Sequence, residues 1–319
     1  MRLTALAAIV MTTLMATPAA AQPAPRDITA PGPLAELHGT LLDAGKGAPV
    51  VLIVPGSGPT DRDGNNPLGV KAAPYRLLAD GLAARGISSV RIDKRGLFAS
   101  KAAIADGNKV TVADYVTDIR AWVASARAAT GAKCLWLLGH SEGGLMVLAA
   151  GDAPDVCGII TVSAVGRPFD VVIREQIHAN PANAVVFDQV DAALAKLKAG
   201  EHVDPASLHP GLLALFNPAV QDYLIDLIRH DPATLAARVK APLLIVQGLS
   251  DIQVSEADAR ALAAANPRAK LLLLPGVNHV LKQVGNADRS ANLASYANPD
   301  LPIDPGVVEA VAGFVKGAH

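Results

Sequence analysis

The sequence predicts an α/β fold, a mostly parallel central sheet flanked by helices and carrying a helical cap insertion, and three observations support that expectation. Short continuous apolar runs alternate along the chain with segments of helical periodicity, the pattern of strands buried on both faces beneath helices. One of these runs passes through a Gly-x-Ser-x-Gly turn directly into a helix-forming segment. Between residues 166 and 240 the alternation stops, and helical patterns broken by Pro181, Pro205, Pro210, Pro218 and Pro232 take its place. Because both ends of this stretch join sheet elements, it reads as a cap lying over the C-terminal ends of the strands.

The elements follow in chain order. Met1 and Arg2, an apolar stretch from Ala5 to Met15, and the small residues Ala19, Ala20 and Ala21 read as a signal peptide over residues 1–21. The apolar stretch is short for a bilayer span, which takes about 20 residues. No stable membrane insertion is therefore expected after cleavage, and the mature chain is expected to be periplasmic or secreted. Residues 22–33, with Pro23, Pro25, Pro31 and Pro33, read as an extended leader, and 34–319 as the folded domain. Residues 49–54 are a continuous apolar run ended by Pro55 and Gly56, which suits a strand. Residues 75–85 have a helical pattern with Gly86 at the C-cap, and 87–92 form the next strand. Val112, Tyr115, Val116, Ile119, Trp122 and Val123 recur at three- and four-residue steps, predicting a helix over 111–128. Strands are expected at 134–138, 156–162, 242–246 and 271–274, and cap helices at 185–198 and 220–230.

The chemistry is concentrated where strands end. Gly139-His140-Ser141-Glu142-Gly143 lies between the strand at 134–138 and a helix over 145–150. So tight a strand-to-helix turn strains the serine backbone, exposes its hydroxyl above the sheet, and needs glycine on both sides to avoid collisions. A serine hydroxyl requires a base to take its proton. The expected order is serine, then an acid, then histidine, each delivered by a turn after a strand. Asp251 closes the turn after 242–246, and His279 closes the turn after 271–274. Ser141 is accordingly the candidate nucleophile, His279 the general base and Asp251 the acid that orients it. Asp258, the competing acid, falls inside the following helix. His140 is expected to pack beneath the turn, and His178, His202, His209 and His230 lie in the insertion. The backbone N–H groups of Ser57, in the Gly56-Ser57-Gly58 turn, and of Glu142 are the candidate oxyanion donors. A phosphate-binding role for the Gly56-Ser57-Gly58 turn is excluded by the missing Gly-Lys-Ser/Thr ending and the absent third glycine.

From about His38 onward, the chain resembles bacterial α/β-hydrolase carboxylesterases with a helical cap. The resemblance lies in Pro-Gly-Ser-Gly-Pro-Thr-Asp-Arg-Asp-Gly-Asn (55–65), Asp-Lys-Arg-Gly (93–96), Gly-His-Ser-Glu-Gly (139–143), Gly-Leu-Ser-Asp (248–251) and Asn-His (278–279). It implies hydrolysis of short acyl esters through an acyl-enzyme, a small-molecule ester as partner, and no metal or organic cofactor. A peptidase, an amidase or an acyltransferase would use the same machinery, and a non-catalytic binding protein on this fold would typically lack one of the three residues. The chain departs from such proteins at Phe98, where a small residue is usual after the Asp-Lys-Arg-Gly run. The charged turn Asp61-Arg62-Asp63 reads either as a rim that orders the neighbouring loop or as a solvated turn held by its own ion pairs.

With 28 basic and 29 acidic residues and no basic stripe, the chain has no electrostatic footprint for nucleic acid. Aromatics make up 3%, so the core must be built chiefly from Val, Leu, Ile and Ala. The two cysteines, Cys134 and Cys157, open neighbouring strands. Level strand ends would bring them within disulfide range, whereas the usual misalignment of side chains on adjacent parallel strands favours two buried thiols.

Overall fold

The computed structural model describes residues 23–151, 153–285 and 288–317. The signal peptide expected over residues 1–21 lies outside these residues. The strands are β1 (Pro25–Ala30), β2 (Leu37–Leu42), β3 (Val50–Val54), β4 (Ser88–Ile92), β5 (Leu135–His140), β6 (Val156–Val162), β7 (Leu243–Gly248) and β8 (Lys270–Leu274). They form one eight-stranded sheet in the order β1-β2-β4-β3-β5-β6-β7-β8. β1 and β2 run antiparallel at one edge, and every pairing from β4 to β8 is parallel. The Pro-rich leader thus enters the sheet as an edge strand, where a missing backbone donor costs least. β2 has no counterpart among the strands expected from sequence.

The helices are α1 (Pro74–Ala83), α2 (Val112–Thr130), α3 (Glu142–Ala150), α4 (Phe169–His178), α5 (Phe187–Lys198), α6 (Gln221–Ile228), α7 (Pro232–Arg238), α8 (Glu256–Ala265), α9 (Arg289–Ala294) and α10 (Pro305–Gly317). Strand alternation sorts them into two layers. Val50, Leu52, Val54, Leu135 and Leu137 pack with residues of α2, α3 and α8, including Ile119, Trp122, Leu145 and Leu262. Val51, Ile53, Trp136 and Leu138 pack on the opposite face with Leu78 and Leu82 of α1 and Val308 and Val311 of α10. α2 begins with a capping box, in which the Thr111 side chain accepts from the Asp114 N–H and the Asp114 side chain accepts from the Thr111 N–H.

Between β6 and β7 the chain forms α4, α5, α6 and α7, joined by short 3₁₀ turns. Phe169 and Ile173 of α4 and Tyr223 and Leu224 of α6 wall a cavity whose opposite wall includes Ser57 and Glu142, at the C-terminal rim of the sheet. α7 instead packs against α3 and α8 on the sheet's flank.

The register levels the C-terminal ends of the central strands. Val54 pairs with Gly139, His140 with Val162, Val162 with Val246, and Gly248 with Leu274. The turns that leave β3, β5, β7 and β8 therefore emerge at one rim, and these are the turns that carry Ser57, Ser141, Asp251 and the approach to His279.

At the opposite end of the sheet, Cys134 and Cys157 form a disulfide with a Cα–Cα distance of 5.3 Å. The expectation of buried free thiols is corrected by a local irregularity. Leu135 pairs with Val156 whereas Trp136 pairs with Gly158, so Cys157 is an extra residue in its strand. A bulge of this kind breaks strict side-chain alternation and brings the two sulfurs to the same side.

Candidate active site

β5 hands over to α3 through a single residue. Ser141 has φ 54 and ψ −125, far from the ordinary basins of a non-glycine residue, a conformation that costs roughly 1–3 kcal/mol and persists only where its surroundings enforce it. The enforcement is visible atom by atom. Ser141 N–H donates to the Val162 carbonyl of β6 at 3.1 Å. A Cβ at Gly139 would lie 2.2 Å from the Gly143 carbonyl oxygen, and one at Gly143 would lie 2.4 Å from the Val54 carbonyl oxygen. No side chain fits at either position, which is why the turn closes so tightly.

The acid and the base meet. His279 Nδ1 and Asp251 Oδ2 are 2.8 Å apart, and the Asp251 side chain is fully buried. Its Oδ1 accepts the backbone N–H groups of Gln253 at 2.8 Å and Val254 at 2.9 Å. Burial pushes the Asp251 carboxyl up, but the facing His279 and these hydrogen bonds outweigh it and hold the group below its ordinary value. An ionised Asp251 only accepts, so His279 donates an Nδ1 proton to it. Ser141 and His279 line one cavity of about 140 Å³ together with Gly56, Ser57 and His140. In this conformation no hydrogen bond joins the Ser141 hydroxyl to His279 among the described residues, a looseness common before substrate closes the geometry.

His140 fixes the turn from below. Its Nε2 lies 2.8 Å from the His279 carbonyl oxygen and its Nδ1 lies 2.9 Å from Tyr75 Oη. A carbonyl can only accept, so Nε2 bears the proton, Nδ1 accepts from the Tyr75 hydroxyl, and Tyr75 Oη in turn accepts the Gly56 N–H at 3.1 Å. Burial, reinforced by the neighbouring His279, pulls the His140 pKa down to about 3, so the ring stays neutral and this single tautomer persists. One chain of hydrogen bonds therefore ties the Gly56-Ser57 loop, the serine turn and the histidine loop together.

Both backbone groups of Gly56 are held. While Gly56 N–H donates to Tyr75, the Gly56 carbonyl accepts from Lys94 Nζ at 2.6 Å. Neither Ser57 N–H nor Glu142 N–H has an acceptor among the described residues, which leaves both free for a developing oxyanion. The charged turn orders this loop from the neighbouring strand. Arg62 forks onto Asp93 at 3.1 and 2.7 Å, Asp63 pairs with buried Arg91, and Asp61 accepts the N–H groups of Asp63 and Asn65. Phe98 adopts a positive φ and is half exposed.

Glu142 lines the cavity walled by α4 and α6. Its buried carboxylate accepts the Tyr223 hydroxyl of α6 at 2.7 Å and lies in the field of buried Lys94. Asp258, the competing acid, is fully buried in α8 and paired with Arg167 at 2.8 Å. His178 stacks on Phe187, and His202 pairs with Asp222. Tyr75, Lys94 and Tyr223 do not stand out in the sequence as site residues. The only signal was the place of Lys94 in the Asp-Lys-Arg-Gly run; Tyr75 reads as the first apolar residue of a helix.

The family model described as serine aminopeptidase, S33, matches residues 68–209, a span that contains Ser141. Esterase EstD of Thermotoga maritima is 27% identical over 242 residues, covering 73% of this chain and 54% of that protein. The chain thus spans about half the length of the curated relative it matches. Among solved structures, the Pyrococcus furiosus esterase Pf2001 superimposes with a TM-score of 0.60 at 17% identity, covering 92% of this chain and 91% of that one. Est1E from Butyrivibrio proteoclasticus gives 0.57 at 17% identity over 92% and 98% of the two chains. A meta-cleavage product hydrolase from Pseudomonas fluorescens gives 0.54 at 21% identity over 92% and 98%.

Proposed function

We propose that the chain is a member of the α/β-hydrolase family and a serine carboxylic ester hydrolase acting through an acyl-enzyme. The observation that carries this reading is the buried Asp251–His279 hydrogen bond of 2.8 Å behind a cavity shared with the strained Ser141. Ser141 Oγ attacks the ester carbonyl carbon and passes its proton to His279 Nε2. The imidazolium is stabilised by Asp251, and the carbonyl oxygen takes its negative charge against the N–H groups of Ser57 and Glu142. His279 then protonates the departing alcohol, and water enters by the same base to release the acid.

A second reading, aminopeptidase or amidase, has the printed name of the family model in its favour. Selecting a free substrate amine would need an uncommitted carboxylate near Ser141. The nearest candidate, Glu142, is already engaged by Tyr223 and Lys94, which favours the ester. A binding protein without chemistry would have no use for a backbone strained at Ser141.

The leader over residues 1–21 supports export to the periplasm or beyond, and so does the Cys134–Cys157 disulfide, since such bonds persist in oxidising compartments. Fractionation of cells expressing the full chain tests this placement, which fails if the protein stays cytoplasmic with residues 1–21 attached. For the activity, a fluorophosphonate probe should label the wild type and not Ser141→Ala, and p-nitrophenyl butyrate should be hydrolysed faster than the matching anilide. An unlabelled, folded wild type would end the reading.

A further inference from the structure

We propose that two cavities beside Ser141 sort the halves of the ester, a bulky apolar acyl group lying beneath the cap and a small polar alcohol lying beside His279. The inference rests on the ester-hydrolase reading and names its substrate class: esters of acyl groups well beyond acetyl with small polar alcohols.

The two cavities differ in size and lining. The smaller, about 140 Å³, holds Ser141 and His279 and is edged by Thr60, Asn66, Gln253 and Tyr296. The larger, about 500 Å³, is walled mainly by apolar residues such as Leu68, Val110, Phe169, Ile173 and Leu224, has the Lys94–Glu142–Tyr223 group in its lining, and contains neither Ser141 nor His279. Ser57 lines both, so they meet at the oxyanion loop.

The chemistry decides which half goes where. When Ser141 Oγ bonds to the carbonyl carbon, the bond from that carbon to the alkoxy oxygen must break. The leaving oxygen takes the proton that Oγ gave to His279. It must therefore lie against Nε2, and the alcohol it carries occupies the cavity that His279 lines. The acyl substituent on the same carbon leaves in the other direction, past the Ser57 N–H that holds the oxyanion, and enters the larger cavity. The larger volume falls within the range of sites that enclose small organic ligands. Its aliphatic and aromatic walls reward apolar burial, at about fourfold in kcat/KM for each methylene that leaves water. The short acyl group implied by the sequence resemblance would leave most of this space unfilled.

Isomeric esters test the sorting, because methyl hexanoate and pentyl acetate share one formula and reverse the two halves. In a pH-stat assay on the mature wild type, methyl hexanoate should exceed pentyl acetate at least tenfold in kcat/KM, and should exceed methyl butanoate by roughly fifteenfold. Ala214 is exposed at the edge of the larger cavity. Ala214→Trp should lower the methyl hexanoate value at least tenfold and leave methyl acetate within twofold. Equal rates for the two isomers, or faster pentyl acetate, overturn the sorting while the ester-hydrolase reading stands. So does an Ala214→Trp variant that slows both methyl esters alike. A folded protein that hydrolyses none of these esters removes the reading itself.

Discussion

Replacing Asp251 with asparagine tests the site most sharply, because the structure dictates how the new amide must sit. Oδ1 of Asp251 receives two backbone N–H groups, from Gln253 and Val254, while Oδ2 faces His279 Nδ1. Turning the amide nitrogen toward the two backbone donors would set donor against donor and leave the N–H of buried Val254 unsatisfied, at about 1–3 kcal/mol. The carbonyl oxygen therefore takes the Oδ1 place and the amide nitrogen faces the imidazole. Nδ1 must then accept, which moves the histidine proton to Nε2 and removes the lone pair that receives the Ser141 proton. A wrong tautomer at an otherwise intact triad costs about four decades in kcat, or about 5.4 kcal/mol of transition-state stabilisation. The measurement is kcat at saturating methyl hexanoate or p-nitrophenyl butyrate, with a thermal melt to show that the variant is folded. A folded Asp251→Asn enzyme keeping more than a tenth of wild-type kcat would refute the assigned role.

Two further outcomes concern His140 and the disulfide. His140 has a folded-state pKa of about 3 against an ordinary 6.5, so the unfolded chain takes the proton first. Its contribution to stability is complete above that ordinary value and is lost as pH falls toward the folded value. Between pH 6.5 and about pH 5 this amounts to about 2 kcal/mol, which urea unfolding should record in the wild type and not in His140→Gln; equal slopes in the two proteins would remove the account. The Cys134–Cys157 bridge closes a segment with a sequence separation of 23, worth about 3 kcal/mol through the unfolded chain. The double variant Cys134→Ser, Cys157→Ser should lose stability of that size while keeping its kcat, and two free thiols in denatured, unreduced wild type would contradict the bridge itself.

The parallel body of the fold was legible in the sequence because its strands are covered on both faces and read as unbroken apolar runs. Val50–Val54 is buried at every position, and so is Leu135–His140. β2 escaped notice for the opposite reason. Leu-His-Gly-Thr-Leu-Leu mixes polar residues and a glycine into six positions, and its buried residues alternate with half-buried ones. Its place is decided by antiparallel pairing with β4, far along the chain. Ser141, Asp251 and His279 were legible because each ends a turn after a strand, and the level register turns that local position into shared space. Tyr75 was not legible. Its hydroxyl works on His140, 65 residues away, and nothing in the first turn of an amphipathic helix announces such a partner. The disulfide was hidden by a one-residue bulge, which apolar patterning does not encode.

The two sides of the site differ in what holds them. On the His279 side, each loop is fixed by hydrogen bonds inside the sheet domain: Asp251 to the backbone of Gln253 and Val254, His140 to Tyr75 and the His279 carbonyl, and Lys94 to Gly56. These bonds are linked through Gly56, Tyr75, His140 and His279, so a shift at one is passed to its neighbours. On the cap side, α6 is held by the Tyr223 hydrogen bond to Glu142, by the Val112 N–H donated to Asp226 and by the Lys109–Asp222 pair, and much of the remaining wall, Leu68, Val110, Phe169, Ile173 and Leu224, is apolar contact without directional demand. Directional bonds specify one geometry, whereas apolar walls accept many shapes of similar volume. The proton-transfer half of the site is therefore constrained to one arrangement, and the acyl half is free to vary by substitution in α4 and α6. On the proposed sorting, selectivity for the acid would rest on cap residues between β6 and β7 together with Leu68 and Val110, and competence in the chemistry on the turns after β3, β5, β7 and β8.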